Sequence, residues 1–165
     1  MNYILGIDPG LANTGYALIK TFGNNISLIE AGIIKTPASA HLSERLFLIR
    51  KKMIKIINNF NPSSISVEKI FLNINQKTAI QTAMVIGLVA SISGEFAIPY
   101  FEYTPLQIKK SITGSGRSPK SQLKKMIVYI LPDLSNVKNN HSIDAAAVAY
   151  CHYKLNKFNS LVEKC

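Results

Sequence analysis

Apolar and polar positions along the chain predict three strands, then a helix, then alternating strands and helices. Asn2-Tyr3-Ile4-Leu5-Gly6-Ile7 is an apolar run that stops at one carboxylate, Asp8, before Pro9-Gly10. Proline cannot extend a ladder and glycine relaxes the backbone, so a first strand ends there. Leu11 to Thr14 read as a short loop, Gly15–Lys20 as a second strand, Gly23-Asn24-Asn25 as a hairpin turn and Ile26–Lys35 as a third strand. Together they predict an antiparallel meander. Leu42, Leu46, Ile49, Met53, Ile56 and Ile57 then recur at helical spacing, in a helix opened by Ser43 and ended by Asn61-Pro62. Its cations, Arg45, Arg50, Lys51, Lys52 and Lys55, read mostly as a solvated face.

Ser64–Glu68 follows as a fourth strand. Coming after a helix, it should lie parallel to an earlier strand. If that neighbour is the first strand, Glu68 ends beside Asp8, and two such acids repel unless a proton or a cation lies between them. Phe71, just past this tip, reads either as core or as an exposed wedge able to stack on a base. Gln76–Phe96 is a helix apolar nearly all round, with Ala79, Ala83, Gly87 and Ser91 as a small-residue ridge. Such a helix is central to the core or shared with a second subunit.

Pro99–Tyr103 reads as a fifth strand, and Thr104-Pro105 as the cap and first residue of a short helix. The Gly/Ser stretch Ser111–Lys120 lies among Lys109, Lys110, Arg117, Lys120, Lys124 and Lys125. It does not match a Walker A loop and suits a phosphate-backbone contact better. Ser121–Leu131 is a further helix, and Asp133 reads as turn chemistry. His141-Ser142-Ile143-Asp144 opens the last helix, whose Ala145–Ala149 run can pack tightly on a sheet. His141 and Asp144 are three apart and share a face near the helix N-terminus, where a carboxylate is favoured. His41 and His152 receive no role.

At 165 residues one domain, 1–165, is expected. The net charge of +10 points to a polyanionic partner. Only nine acids oppose it, and several end apolar runs instead of lying on polar faces. Cys151 and Cys165 form no disulfide framework, which fits a reducing cytoplasm. No signal peptide is expected. The longest apolar stretch, Ala79–Ile92, reads as too short for the roughly 20 residues that span a bilayer.

Taken in order, four motifs resemble the ribonuclease H-like nucleases, and among them the RuvC family of Holliday junction resolvases. They are Leu5-Gly6-Ile7-Asp8-Pro9-Gly10 with Thr14-Gly15-Tyr16; Val67-Glu68-Lys69-Ile70-Phe71; Lys109 with Gly114-Ser115-Gly116 and Lys120-Ser121-Gln122; and His141-Ser142-Ile143-Asp144-Ala145. Each is weak alone, while the set spans nearly the whole chain. The resemblance implies an α/β fold with a five-stranded mixed sheet flanked by helices. It implies a catalytic and metal-binding set of Asp8, Glu68, His141 and Asp144 with one or two Mg²⁺, replaceable by Mn²⁺. Members differ at the position of His141, some carrying Asp, which leaves open whether His141 ligates metal or moves a proton. It further implies DNA contacts at Phe71, Lys109, Arg117 and Lys120, a homodimer using the Gln76–Phe96 helix, and RuvA and RuvB as partners. The expected reaction is Mg²⁺-dependent hydrolysis of symmetric phosphodiesters in a four-way DNA junction, in recombination and repair. Three alternatives stand beside it. A ribonuclease H-like enzyme acting on structured RNA is the nearest. A non-catalytic nucleic-acid-binding domain explains the charge but not the placement of the acids. An actin-like or sugar-kinase ATPase needs two lobes, and this length supplies one.

Overall fold

The chain is described by a computed structural model over residues 1–70 and 76–162. Five strands, β1 (Asn2–Asp8), β2 (Asn13–Phe22), β3 (Asn25–Lys35), β4 (Ser64–Glu68) and β5 (Tyr100–Tyr103), form one sheet in the order β3-β2-β1-β4-β5. β1, β2 and β3 make the expected antiparallel meander. β4 lies parallel to β1, and β5 parallel to β4. The helices of the described residues are α1 (Leu42–Phe60), α2 (Gln76–Glu95), α3 (Pro105–Thr113), α4 (Lys120–Ile130) and α5 (Asn140–Val162), with a short 3-10 helix at Pro132–Asn136 that contains Asp133.

Most boundaries move by a residue or two, and three of the differences from the sequence reading have a clear local reason. β2 begins at Asn13 because Asn13 and Thr14 pair with Lys35 and Ile34 of β3, turning expected loop into ladder. α1 begins at Leu42, not Ser43; His41 is its cap, and the His41 N–H donates to the Glu44 carboxylate at 3.3 Å. Ser111, Ile112 and Thr113 belong to α3, which runs until Gly114 turns left-handed at φ 79°. The Gly/Ser loop is therefore shorter, 114–119. Two of its N–H groups are engaged inside it, Ser115 donating to Thr113 Oγ1 and Arg117 to Ser115 Oγ, both at 3.3 Å.

Side chains alternate across a strand, so the sheet builds two cores. Leu5, Ile7, Leu18, Ile65 and Val67 face α1 and α2, meeting Ile49, Met53, Ile56, Val85, Val89 and Ile92. Ile4, Ala17, Ile19 and Tyr103 face the other way, onto Ile108, Leu123, Ile127 and the Ala145–Ala149 run of α3, α4 and α5. α5 lies close against the sheet because Gly6 and Gly15 have no side chain. A Cβ on Gly6 would collide with the Ala145 carbonyl oxygen, and one on Gly15 with that of His141. The height of α5 over β1 and β2 is thus fixed by two glycines, one under each of its first two turns.

α2 is not central, contrary to the first of its two expected readings. It buries one face through Ala79, Val85, Val89, Ile92 and Ser93. Ile80 is 58% exposed and Met84 38%, while Gly87 and Gly94 have open space where a Cβ would stand. At 20 residues α2 is also long and apolar enough to cross a membrane by length and composition, which corrects the expectation that this stretch is too short. Its inner face packs on the sheet.

Candidate active site

The register of two neighbouring strands builds the site. Ile7 of β1 pairs with Val67 of β4, so the next residues, Asp8 and Glu68, stand side by side at the two tips. Ile7 and Val67 point into the α1/α2 core. One residue further, by alternation, Asp8 and Glu68 point to the α5 face. The turn after β1 is braced from inside: buried Thr14 donates to the Gly10 carbonyl at 2.8 Å, and buried Thr36 donates to that of Leu11 at 2.6 Å. The first turn of α5 supplies the rest. Asn139, at its cap, accepts from the His141 N–H at 2.8 Å. That fixes a turn in which His141 and Asp144 both look down on the strand tips.

His141 Nδ1 lies 2.7 Å from Asp8 Oδ2. With Asp8 ionised, Nδ1 carries a proton and donates; in the neutral ring Nε2 then keeps its lone pair. Asp144 Oδ2 accepts from Lys120 Nζ at 2.6 Å. Asp8 and Asp144 are largely covered, at 17% and 18% exposed side chain, whereas His141 is 47% and Lys120 69% exposed. Glu68 is half-buried and, among the described residues, has no hydrogen-bond or ion-pair partner. Glu68, Lys109, Lys120 and Asp144 line a small cavity of about 90 Å³ with Pro105 and Leu123.

Electrostatics match this crowding. Burial, then the charges of Asp8 and Asp144, push the Glu68 carboxyl up to about 7 against the opposing pull of Lys120 and Lys109. Burial also raises Asp8, with Asp144 adding and the His141 hydrogen bond subtracting. Burial alone would lower Lys120, but the hydrogen bond and charge of Asp144, then Asp8 and Glu68, raise it. Asp8 and Glu68 resist ionisation beside Asp144, and the three acids together are a hard, oxygen-rich donor set. They fit a divalent cation of the Mg²⁺ or Mn²⁺ kind, whose charge would remove the conflict. In this arrangement Asp8 is turned to His141 and Asp144 to Lys120. Among the described residues no three His, Cys, Asp or Glu groups close into a ready-made cage.

Asp8, Glu68, His141 and Asp144 are thus brought to one end of the sheet, with Lys109 and Lys120 beside them. Arg117 is exposed in the 114–119 loop and does not line the small cavity. Phe71 lies outside the described residues. Sequence reasoning missed the Lys120–Asp144 ion pair, the Asn139 cap and the two glycines under α5. Of these, only the cap had a local signal, an Asn before an apolar helical run. His152 is buried with Nδ1 2.7 Å from the Tyr103 hydroxyl, and burial pulls it down to about 4. It lines a larger cavity of about 750 Å³ at the opposite end of the sheet, among Asn2, Thr21, Ser64 and Phe101. The acids mark the chemistry here, and volume does not.

The family profile described as RuvC, crossover junction endodeoxyribonuclease RuvC, matches residues 4–152. A protein of Halothermothrix orenii named crossover junction endodeoxyribonuclease RuvC is 41% identical over 157 residues, covering 93% of this chain and 95% of that one. A protein of the same name from Ruminiclostridium cellulolyticum is 40% identical, covering 96% of each. Among solved structures, T. thermophilus RuvC in complex with Holliday junction substrate superposes with a TM-score of 0.90. It covers 96% of this chain and 97% of that one at 24% identity, which speaks to the fold alone.

The sign of the Glu68 effect on stability follows from its folded value of about 7 against an ordinary 4.5. The folded protein holds this proton more tightly. The contribution is therefore full below about pH 4.5 and is lost as pH rises through 7, amounting to about 3 kcal/mol. Thermal unfolding in EDTA between pH 5 and 8 should show wild type losing stability with rising pH and Glu68→Gln losing much less, so that the variant melts higher at pH 8. Parallel curves for the two proteins would contradict this.

Proposed function

The chain belongs to the crossover junction endodeoxyribonuclease RuvC family, and on that premise we propose that Asp8, Glu68 and Asp144 hold a divalent ion, Mg²⁺ in the cell, for cutting a four-way DNA junction. The supporting observation is the meeting of these three acids at one sheet end in a chain of net charge +10. The chemistry supplied by a bound ion there is Lewis-acid stabilisation of charge on the phosphate and a lowered pKa for the attacking water. The chain's own residues do the remainder. Asp8 anchors His141 through Nδ1, so Nε2 is the nitrogen able to take a proton from water, and we assign His141 to proton transfer in preference to ligation. Lys109 and Lys120 flank the acids, where their ammonium groups meet phosphate oxygens; Arg117 meets the backbone further out. Because these contacts are ionic, affinity falls steeply with salt.

Family membership sets the kinase-like reading aside, and with it the non-catalytic one. A DNA junction, rather than structured RNA, is the substrate. Such a junction presents two equivalent strands, and a two-fold homodimer presents two equivalent sites. The outward face of α2, with Ile80 and Met84, continues into Leu42 at 42% exposure on α1. A shallow depression of about 280 Å³ joins them, lined also by Leu11, Arg45, Lys77 and Gln81. This apolar face is the homodimer surface in the present reading. Action in the cytoplasm, alongside the branch-migration proteins RuvA and RuvB, completes it, with 1–165 as one nuclease domain.

Two outcomes are expected. Asp8→Asn should cut a synthetic mobile junction at least 100-fold more slowly in Mg²⁺ while binding it with near wild-type affinity in a gel-shift assay; wild-type cutting by this variant would refute the site. Ile80→Glu should shift the protein from dimer to monomer in sedimentation analysis with its melting temperature little changed, and an unaltered dimer would move the interface elsewhere.

A further inference from the structure

Lys120 occupies a position that helix physics does not favour. It is the first residue of α4, after Pro119, and the first turn of α4 contains no acid. A cation at a helix N-terminus is opposed by the helix dipole. Its side chain, 69% exposed, nevertheless reaches to Asp144, whose side chain is only 18% exposed, and closes to 2.6 Å. What draws it is the acidic cluster. Lys124, one turn further along the same face, behaves differently: its ammonium donates to the neutral Oδ1 of Asn140 at 3.0 Å. The two lysines are neighbours with similar reach, and only one is engaged by a carboxylate.

Resting on the reading of Asp8, Glu68 and Asp144 as a divalent-ion site, we infer that Lys120 is a built-in counter-ion that holds Asp144 until a divalent ion displaces it. Lys120 and a bound ion would draw on the same Asp144 carboxylate. An ammonium 2.6 Å from that oxygen and a dication on the same group repel strongly in a half-buried setting. Binding of the ion would therefore work against the ion pair, and the DNA-free protein takes up the ion more weakly than three converging carboxylates would on their own. The released ammonium is then available to a phosphate oxygen. Ion and phosphate therefore favour one another through a single side chain, a reciprocal coupling of the two binding events. Lys120 acts on the ion through Asp144 and is a positioning residue in this role.

The test is a Mn²⁺ titration of the DNA-free protein at constant ionic strength, followed by calorimetry. Lys120→Met should bind Mn²⁺ about tenfold more tightly than wild type, since a repelling charge and a competing bond are both removed. Lys120→Arg, which keeps the charge, should stay near wild type, and so should Lys124→Met. Equal or weaker Mn²⁺ binding by Lys120→Met overturns the inference. So does an equal gain in Lys124→Met, which would reduce the effect to net charge. If wild type binds Mn²⁺ and only the variant comparison fails, the site stands without the counter-ion. If no form binds Mn²⁺ at millimolar concentration, the ion-site reading itself falls and the inference with it.

Discussion

Three carboxylates are held closer together than their charges favour, and much of the architecture exists to keep them there. Asp8 and Glu68 cannot separate without breaking the β1–β4 register that also seats Ile7 and Val67 in the core. Asp144 cannot retreat without lifting α5 off Gly6 and Gly15, and its alanine run out of the opposite core. Repulsion among these acids is thus opposed by apolar burial on both faces of the sheet, which is where the stability of a domain of this size comes from. The conflict surfaces as a Glu68 carboxyl pushed up to about 7. A site that is destabilised when empty of cation has a strong drive to bind one.

Two neighbours moderate the conflict. His141 gives Asp8 a hydrogen bond, and Lys120 gives Asp144 an ion pair. Both come from the helical elements above the strand tips, and both have more exposed side chains than the acids they serve. The half of the site facing solvent is therefore cationic or proton-carrying, and the half facing the sheet is anionic. That polarity would suit a phosphate approaching from the solvent side, with the acids as the groups that would hold a cation.

The parts of this arrangement that were legible in the sequence are those fixed by local pattern. Apolar runs that stop at Asp8 and Glu68 announce strand tips, and a strand after a helix announces a parallel neighbour, so their meeting followed. The alanine run after Asp144 announced close packing. The Lys120–Asp144 pair was not legible, because a flexible four-carbon side chain chooses its partner across 24 residues by tertiary placement alone. The extent of β2 was missed for a related reason: Asn13 has weak strand preference and is drafted into the ladder by β3, together with Thr14 beside it. The nearly uniform apolarity of α2 gave no side to prefer, and only the packing separates its buried Val85 and Val89 from its exposed Ile80.

The central claim, that Asp8, Glu68 and Asp144 share a divalent ion, is tested most directly by anomalous diffraction from crystals of the protein grown with Mn²⁺. The account predicts a manganese peak at this sheet end within about 2.0–2.6 Å of oxygens from all three residues, with Lys120 swung away from Asp144. A peak elsewhere in the molecule, or well-ordered carboxylates at this end with none between them, would contradict it.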